Sequence, residues 1–242
     1  MNKAKANFYC LLLILSVPSV FGQVPALVQS AKCQDWTNYV ETYQCSFDHT
    51  SAPGNALIAF ALVSGSSSVV VKSIADDHTP SSNVYAQDLH YLFGELQNIY
   101  FYSAAGAGAA RTLTVTANSS THFQVILMEV RGLLASGPLS DCSSTHDNGY
   151  NTGRTFTSEM TPRTTQNNEF LVGWNEQAYP NVMTFTDDPP WTLVEQEPIG
   201  GSRIAYRTAT TMGKFAYTGS FTGAGDYRVG AAIVTYKGAG AN

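Results

Sequence analysis

Cys142 and His146 stand four residues apart, a thiol beside an imidazole, the elements of a nucleophile and its base. Catalytic pairs of this kind are assembled from distant parts of a chain and need a third group to orient the base. Cys142 therefore reads as a half-cystine or an idle thiol. A serine nucleophile on a sharp strand-to-helix turn would need Gly-x-Ser-x-Gly, which does not occur. Gly200-Gly201-Ser202 is a glycine-rich turn instead.

Acid/base chemistry on a sugar needs two carboxyl groups about 5–10 Å apart. Trp174-Asn175-Glu176 closes an apolar run and resembles the Asn-Glu motif of barrel glycosidases, but that motif relies on the helices of a (β/α)8 barrel. Glu195 and Glu197 fall on one face of a strand at spacing two and read as a solvated face. For metals, Asp76-Asp77 and Asp187-Asp188 each close a strand, and Asp141 and Asp147 lie in a loop-rich stretch. Calcium takes six to eight oxygens and could gather them from such loops, so it is a candidate ligand, although paired Asp residues are also ordinary turn formers. No other cofactor is implied. The five histidines show no paired spacing suited to a transition metal.

Recognition of a sugar or protein surface asks for flat rings beside hydrogen-bonding groups. The best-equipped segments are 34–39, with Trp36 and Tyr39, and 186–191, with Asp188 and Trp191. These four residues are the expected ligand-binding set, on the premise that a rigid scaffold leaves its connections free to contact partners.

The elements that must position them follow from composition and pattern. Of 242 residues, 13 are Lys or Arg and 18 are Asp or Glu, a net charge of -5. No basic stripe suits nucleic acid, and 44% apolar residues is too many for a disordered chain. Residues 1–22 read as a secretory signal: Lys3 and Lys5, then Phe8–Leu15, Pro18, and Val20-Phe21-Gly22 before the cut. Removing Lys3 and Lys5 leaves 11 basic against 18 acidic residues. No later run is long enough to span a bilayer as a helix. Cys33, Cys45 and Cys142 remain, and in an oxidising compartment three residues imply one bridge. Of the three pairings, Cys33–Cys45 is favoured, because the intervening residues suffice for two short strands and a connection.

Period-two alternation dominates. Leu113, Val115 and Ala117 alternate with threonines, as Tyr227, Val229, Ala231 and Ile233 do with Arg228, Gly230 and Ala232. Ala56–Val63 and Phe123–Val130, the latter interrupted only by Gln124 and Glu129, are apolar on both faces and read as central strands. The expected fold is all-β: a two-sheet antiparallel sandwich, jelly-roll-like, of about twelve strands, in one domain over residues 23–242. Its expected core holds Leu57, Phe60, Leu62, Val125, Leu127, Leu171, Trp174, Val229 and Ile233. Residues 113–132 and 219–238 align without a gap, a hint of duplication, with 132–154 as the crossover between halves.

Several motifs run in a characteristic order: Pro53-Gly54-Asn55-Ala56-Leu57-Ile58, Ile74-Ala75-Asp76-Asp77, Ile99-Tyr100-Phe101-Tyr102, Glu129-Val130-Arg131-Gly132, Asn168-Glu169-Phe170-Leu171-Val172-Gly173 and Gly230–Lys237. Together they resemble a group of bacterial exported β-sandwich proteins of unassigned function. The resemblance implies fold and extracellular location and transfers no catalytic residue; the Cys33/Cys45 insertion departs from it. The functional expectation is a secreted, non-catalytic binding or adhesion module for glycan or a cell-surface partner. The alternatives are a jelly-roll polysaccharide-degrading enzyme, its acids drawn from separate strands, and a structural subunit of a surface layer or filament.

Overall fold

The computed structural model describes residues 23–150, 154–177, 184–196, 202–223 and 228–240. The expected signal segment 1–22 lies outside them. Fourteen strands are formed among the described residues: β1 (Ala26–Ser46), β2 (Ala56–Ser64), β3 (Val71–Asp76), β4 (Ala86–Phe93), β5 (Gln97–Ala104), β6 (Thr112–Arg131), β7 (Ser140–Tyr150), β8 (Thr155–Thr157), β9 (Glu169–Gln177), β10 (Thr184–Asp187), β11 (Thr192–Gln196), β12 (Arg203–Ala209), β13 (Thr218–Thr222) and β14 (Arg228–Tyr236). All pair antiparallel, and there is no helix among the described residues. The all-β sandwich class read from the alternation holds.

The same topology occurs twice. In the first half the five-stranded order is β1-β6-β2-β5-β4; in the second it is β11-β12-β9-β14-β7, the same order read from the other edge. The early part of β6 pairs with β3 and with the end of β1, and β13 likewise sits between β10 and β8. Each half is thus a sandwich of five strands against three. The long strands β1 and β6 serve both sheets of the first half, where the second half uses the separate strands β7 and β8, and β13 and β14. The alignment of 113–132 with 219–238 is the sequence trace of this repeat.

Three apolar layers hold the stack. Leu57, Ala59, Ala61 and Val63 point into the core of the first half with Leu113, Val115, Val125 and Leu127. The alternate residues Ile58, Phe60 and Leu62 point the other way, into a core between the halves shared with Val172, Trp174, Ile204 and Val234. Leu171, Ala231 and Ile233 then face Phe156, Phe185, Tyr217 and Phe221 across the second half. This is why β2 and β9 are apolar on both faces: each is covered twice. All nine expected core residues are at most 2% exposed, but they are divided among three cores.

Two departures have local causes. The expected crossover 132–154 contains β7, whose segment Ser-Asp-Cys-Ser-Ser-Thr-His-Asp-Asn-Gly-Tyr offers almost no apolar residue. It forms because β14 supplies its ladder on one side, an edge position that polar side chains tolerate. The two short strands expected around the connection between Cys33 and Cys45 run together within β1, which stays paired to β6 on both sides of a bend.

That bend carries the bridge. Cys33 and Cys45 are disulfide-bonded with Cα atoms 5.4 Å apart, whereas twelve residues of straight strand would separate them by roughly 40 Å. Cys33 pairs with Val125 in the five-stranded sheet and Cys45 with Leu113 in the three-stranded one. The disulfide therefore closes one edge of the first sandwich.

Candidate functional site

Between its two paired stretches β1 leaves Trp36 to Tyr39 out of the ladder: Asp35 pairs with Phe123 and the next partner, Val40, pairs with Thr121, so four residues bulge opposite His122. The bulge is built by Asp35, whose Oδ1 accepts the backbone N–H of Thr37 (2.9 Å) and Asn38 (2.8 Å), while Asn38 Nδ2 donates to Oδ2 (3.0 Å). These N–H groups, Asn38 foremost, hold the Asp35 carboxyl below the usual carboxylate range. The rings around the bulge converge on His122. Tyr39 lies tilted against the imidazole at 4.0 Å between centroids, and Trp36 approaches it at 5.9 Å. Tyr39 is 63% exposed; Trp36 is half-buried against the core between the halves.

The second expected loop is engaged differently. Asp188 donates its N–H to Thr218 O (3.0 Å) and its Oδ2 accepts from Thr218 Oγ1 (2.7 Å), which ties it to β13. Trp191 packs edge-on to Tyr217 at 4.8 Å, with the Arg207 guanidinium 5.4 Å from its ring. Trp191 borders the outer core of the second half. That core and the one beside Trp36 lie on opposite faces of the second five-stranded sheet. Trp36 and Tyr39 are brought together; Asp188 and Trp191 are not added to them.

The other candidate groups are held by neighbours. Four residues apart on β7, Cys142 and His146 are separated by about 13 Å of strand; Cys142 Sγ is directed at Arg163 O (3.7 Å) and His146 at Glu159 (3.5 Å). Asn175 and Glu176, adjacent on β9, point to opposite faces and cannot share a sugar. Glu176 accepts from Gln97 Nε2 (2.7 Å) and Ser202 Oγ (3.0 Å), and Ser202 in turn accepts from Trp174 Nε1 (3.1 Å). Glu195 faces Lys32 at 3.9 Å, while Glu197 lies outside the described residues.

Of the calcium candidates, Asp187 is clamped by Arg203 and Tyr217. Asp147 is held by Arg228, and Asp77 by the N–H groups of Arg111 and Thr112. Asp76 accepts from Asn83, Tyr85 and the N–H of His78. Among the described residues no three His, Cys, Asp or Glu side chains are grouped to hold a metal.

Two acids, Glu169 and the partly buried Asp88, are strongly perturbed. Glu169, 1% exposed at the start of β9, is pushed up to about 8 by burial and by the neighbouring Asp141. Burial acts on Asp141 as well, but Glu169 and Thr165 as hydrogen-bond partners, with Lys237 at 3.9 Å, hold it below the carboxylate range. Asp88 is raised to about 6 by burial, against the opposing pull of Ser103, Ser140 and Tyr236.

Sequence reasoning did not single out His122, Gln97 or Gln124. Gln124 shows in the sequence only as an interruption of an apolar run; for His122 and Gln97 the signal is a polar residue at an inward position, visible once the inward face is known. Compared with known proteins, the chain matches no family model, no curated protein and no solved structure.

Proposed function

We propose that the chain is an exported, non-catalytic β-sandwich module, of the bacterial type its motifs resemble, that binds glycan through the Trp36–Tyr39 bulge. One observation carries the reading: a largely exposed tyrosine ring, backed by His122, stands on a segment closed by the Cys33–Cys45 bridge. An exposed ring gains from covering the apolar face of a pyranose, and a bulge held by the disulfide and by Asp35 loses little conformational entropy when it does so. The disulfide also suits an oxidising, extracellular setting. No helix among the described residues is long and apolar enough to cross a membrane. The engagement of Glu176, Asp187, Asp147 and Asp76 with internal partners favours binding over the alternative of polysaccharide cleavage.

The test is a glycan array read with the full chain and with Tyr39→Ala. Expected is selective binding by the parent protein, weakened at least tenfold in Tyr39→Ala, with melting temperatures within about 2 °C. Binding that survives Tyr39→Ala, or release of reducing sugar from any bound glycan, rejects the reading.

A further inference from the structure

Two adjacent register rows at one end of the first five-stranded sheet gather polar atoms that have no partner among the described residues. Gln97, Ser64 and His122 pair across β5, β2 and β6; the next row inward is Ile99, Leu62 and Gln124. Register partners share a face, and Leu62 and Ile99 belong to the core between the halves, so His122, Gln97 and Gln124 are on that face too. Gln124 is fully buried, yet among the described residues both its amide atoms lack a partner, as do Gln97 Oε1 and His122 Nδ1. Leaving a buried polar group unpaired forfeits its hydration without return and is destabilising. The fold does not require that cost, because the neighbouring inward positions of the same strand, Ile126 and Met128, are apolar.

These atoms adjoin the aromatic bulge. Gln34, exposed on β1, is the register partner of Gln124, and the rings of both Trp36 and Tyr39 converge on His122. A flat apolar surface and unsatisfied amides meeting at one residue is the composition of a site for a molecule with one apolar face and a rim of hydroxyls. A primary amide presents a donor and an acceptor side by side, the complement of neighbouring hydroxyls. Charge sets the class further. Glu176, 3% exposed, accepts from Gln97 and Ser202 beneath the same face, and the Asp35 carboxylate flanks the bulge. The nearby cation Lys32 donates to Gln196 O (3.1 Å) and lies by Glu195. An acidic sugar approaching the bulge would meet the Asp35 carboxylate, while Lys32, the cation of β1, is already engaged.

We propose that Gln124, Gln97 and His122 form the hydroxyl-reading floor of this site and that its ligand is a neutral, uncharged pyranose glycan, an inference that rests on the Trp36–Tyr39 bulge being the glycan surface. Affinity electrophoresis of the full chain through gels holding mixed-linkage β-glucan, galactomannan or starch, against polygalacturonate or alginate, tests it. Expected is retardation by at least one neutral polymer and by neither acidic one. Gln124→Leu should weaken that retardation at least tenfold while its melting temperature is unchanged or higher, since an unsatisfied amide has been removed.

Retardation only by the acidic polymers overturns the neutral class. If Gln124→Leu is retarded like the parent while Tyr39→Ala is not retarded, the floor is wrong and the bulge reading stands. Absence of retardation by every polymer removes both. Gln124→Met, closer in shape, covers the case in which leucine disturbs packing; a fall of more than about 4 °C in both variants shows that the amide is needed by the fold and also overturns the proposal.

Discussion

Glu169 gives the fold a pH dependence that can be worked out in advance. The carboxyl is buried beside Asp141 and Thr235 and holds its proton to about pH 8, against 4.5 when unperturbed. Below pH 4.5 folded and unfolded chains both carry that proton, and this contribution to stability is fully present. Between pH 4.5 and about 8 only the folded chain carries it, so unfolding releases a proton and stability falls as pH rises. Each pKa unit is worth about 1.4 kcal/mol, which sets a ceiling of roughly 5 kcal/mol on the loss. Asp141 acts in the opposite sense: held below 3.8, it adds stability above that pH which is lost as acid protonates it. The two titrate as a coupled pair.

Glu169→Gln removes the ionisation and keeps a donor toward Asp141. Melting followed by circular dichroism from pH 5 to 9 should show the variant near the parent at pH 5 and increasingly more stable toward pH 9. The expected difference is about 2–4 °C for each kcal/mol in a chain of this size. Parallel curves for the two proteins across the whole range would refute the reasoning, because the proton would then not be held at Glu169.

Three further outcomes are expected. Gly173→Ala would place a Cβ 2.3 Å from the ring of Tyr217, which is buried and donates its hydroxyl to Asp187 at 2.6 Å; a loss of about 3 kcal/mol or more should appear in denaturant unfolding, and a neutral result would show that the second core is loosely packed. Asn175→Ala with Gln177→Val installs the residues that the first half carries at the corresponding positions, Ala61 and Val63. All four amide atoms at 175 and 177 are buried without partners among the described residues, so the double variant should gain about 1–3 kcal/mol in the same assay, and a loss would mean that these amides are satisfied in solution. Cys33→Ala with Cys45→Ala opens a loop of 12 residues and should cost roughly 2–3 kcal/mol; peptide mapping that links Cys142 to either partner in the parent protein contradicts the pairing.

The sequence alone determined the class of structure, the core residues and the bridge, because each rests on short-range regularities. Alternation of period two made Leu113, Val115, Val229 and Ile233 inward residues wherever their strands were placed. Continuous apolar runs marked β2 and the later part of β6 as covered on both faces, and the spacing of the cysteines favoured Cys33–Cys45. The 106-residue alignment offset carried a real trace of the repeat.

Long-range pairing decided the rest. Strand β7 has no apolar pattern of its own and forms because β14 offers it a ladder. Leu57, Phe60 and Leu171 are alike in the sequence, yet they enter three different cores, since which face meets which sheet depends on how the halves stack. The same stacking separated Trp191, packed on Tyr217, from Trp36 and Tyr39, which meet at His122. It also turned Gln124 from one more polar residue in a strand into a buried amide without a partner. Burial and convergence are properties of distant segments brought together, and no local window of sequence contains them.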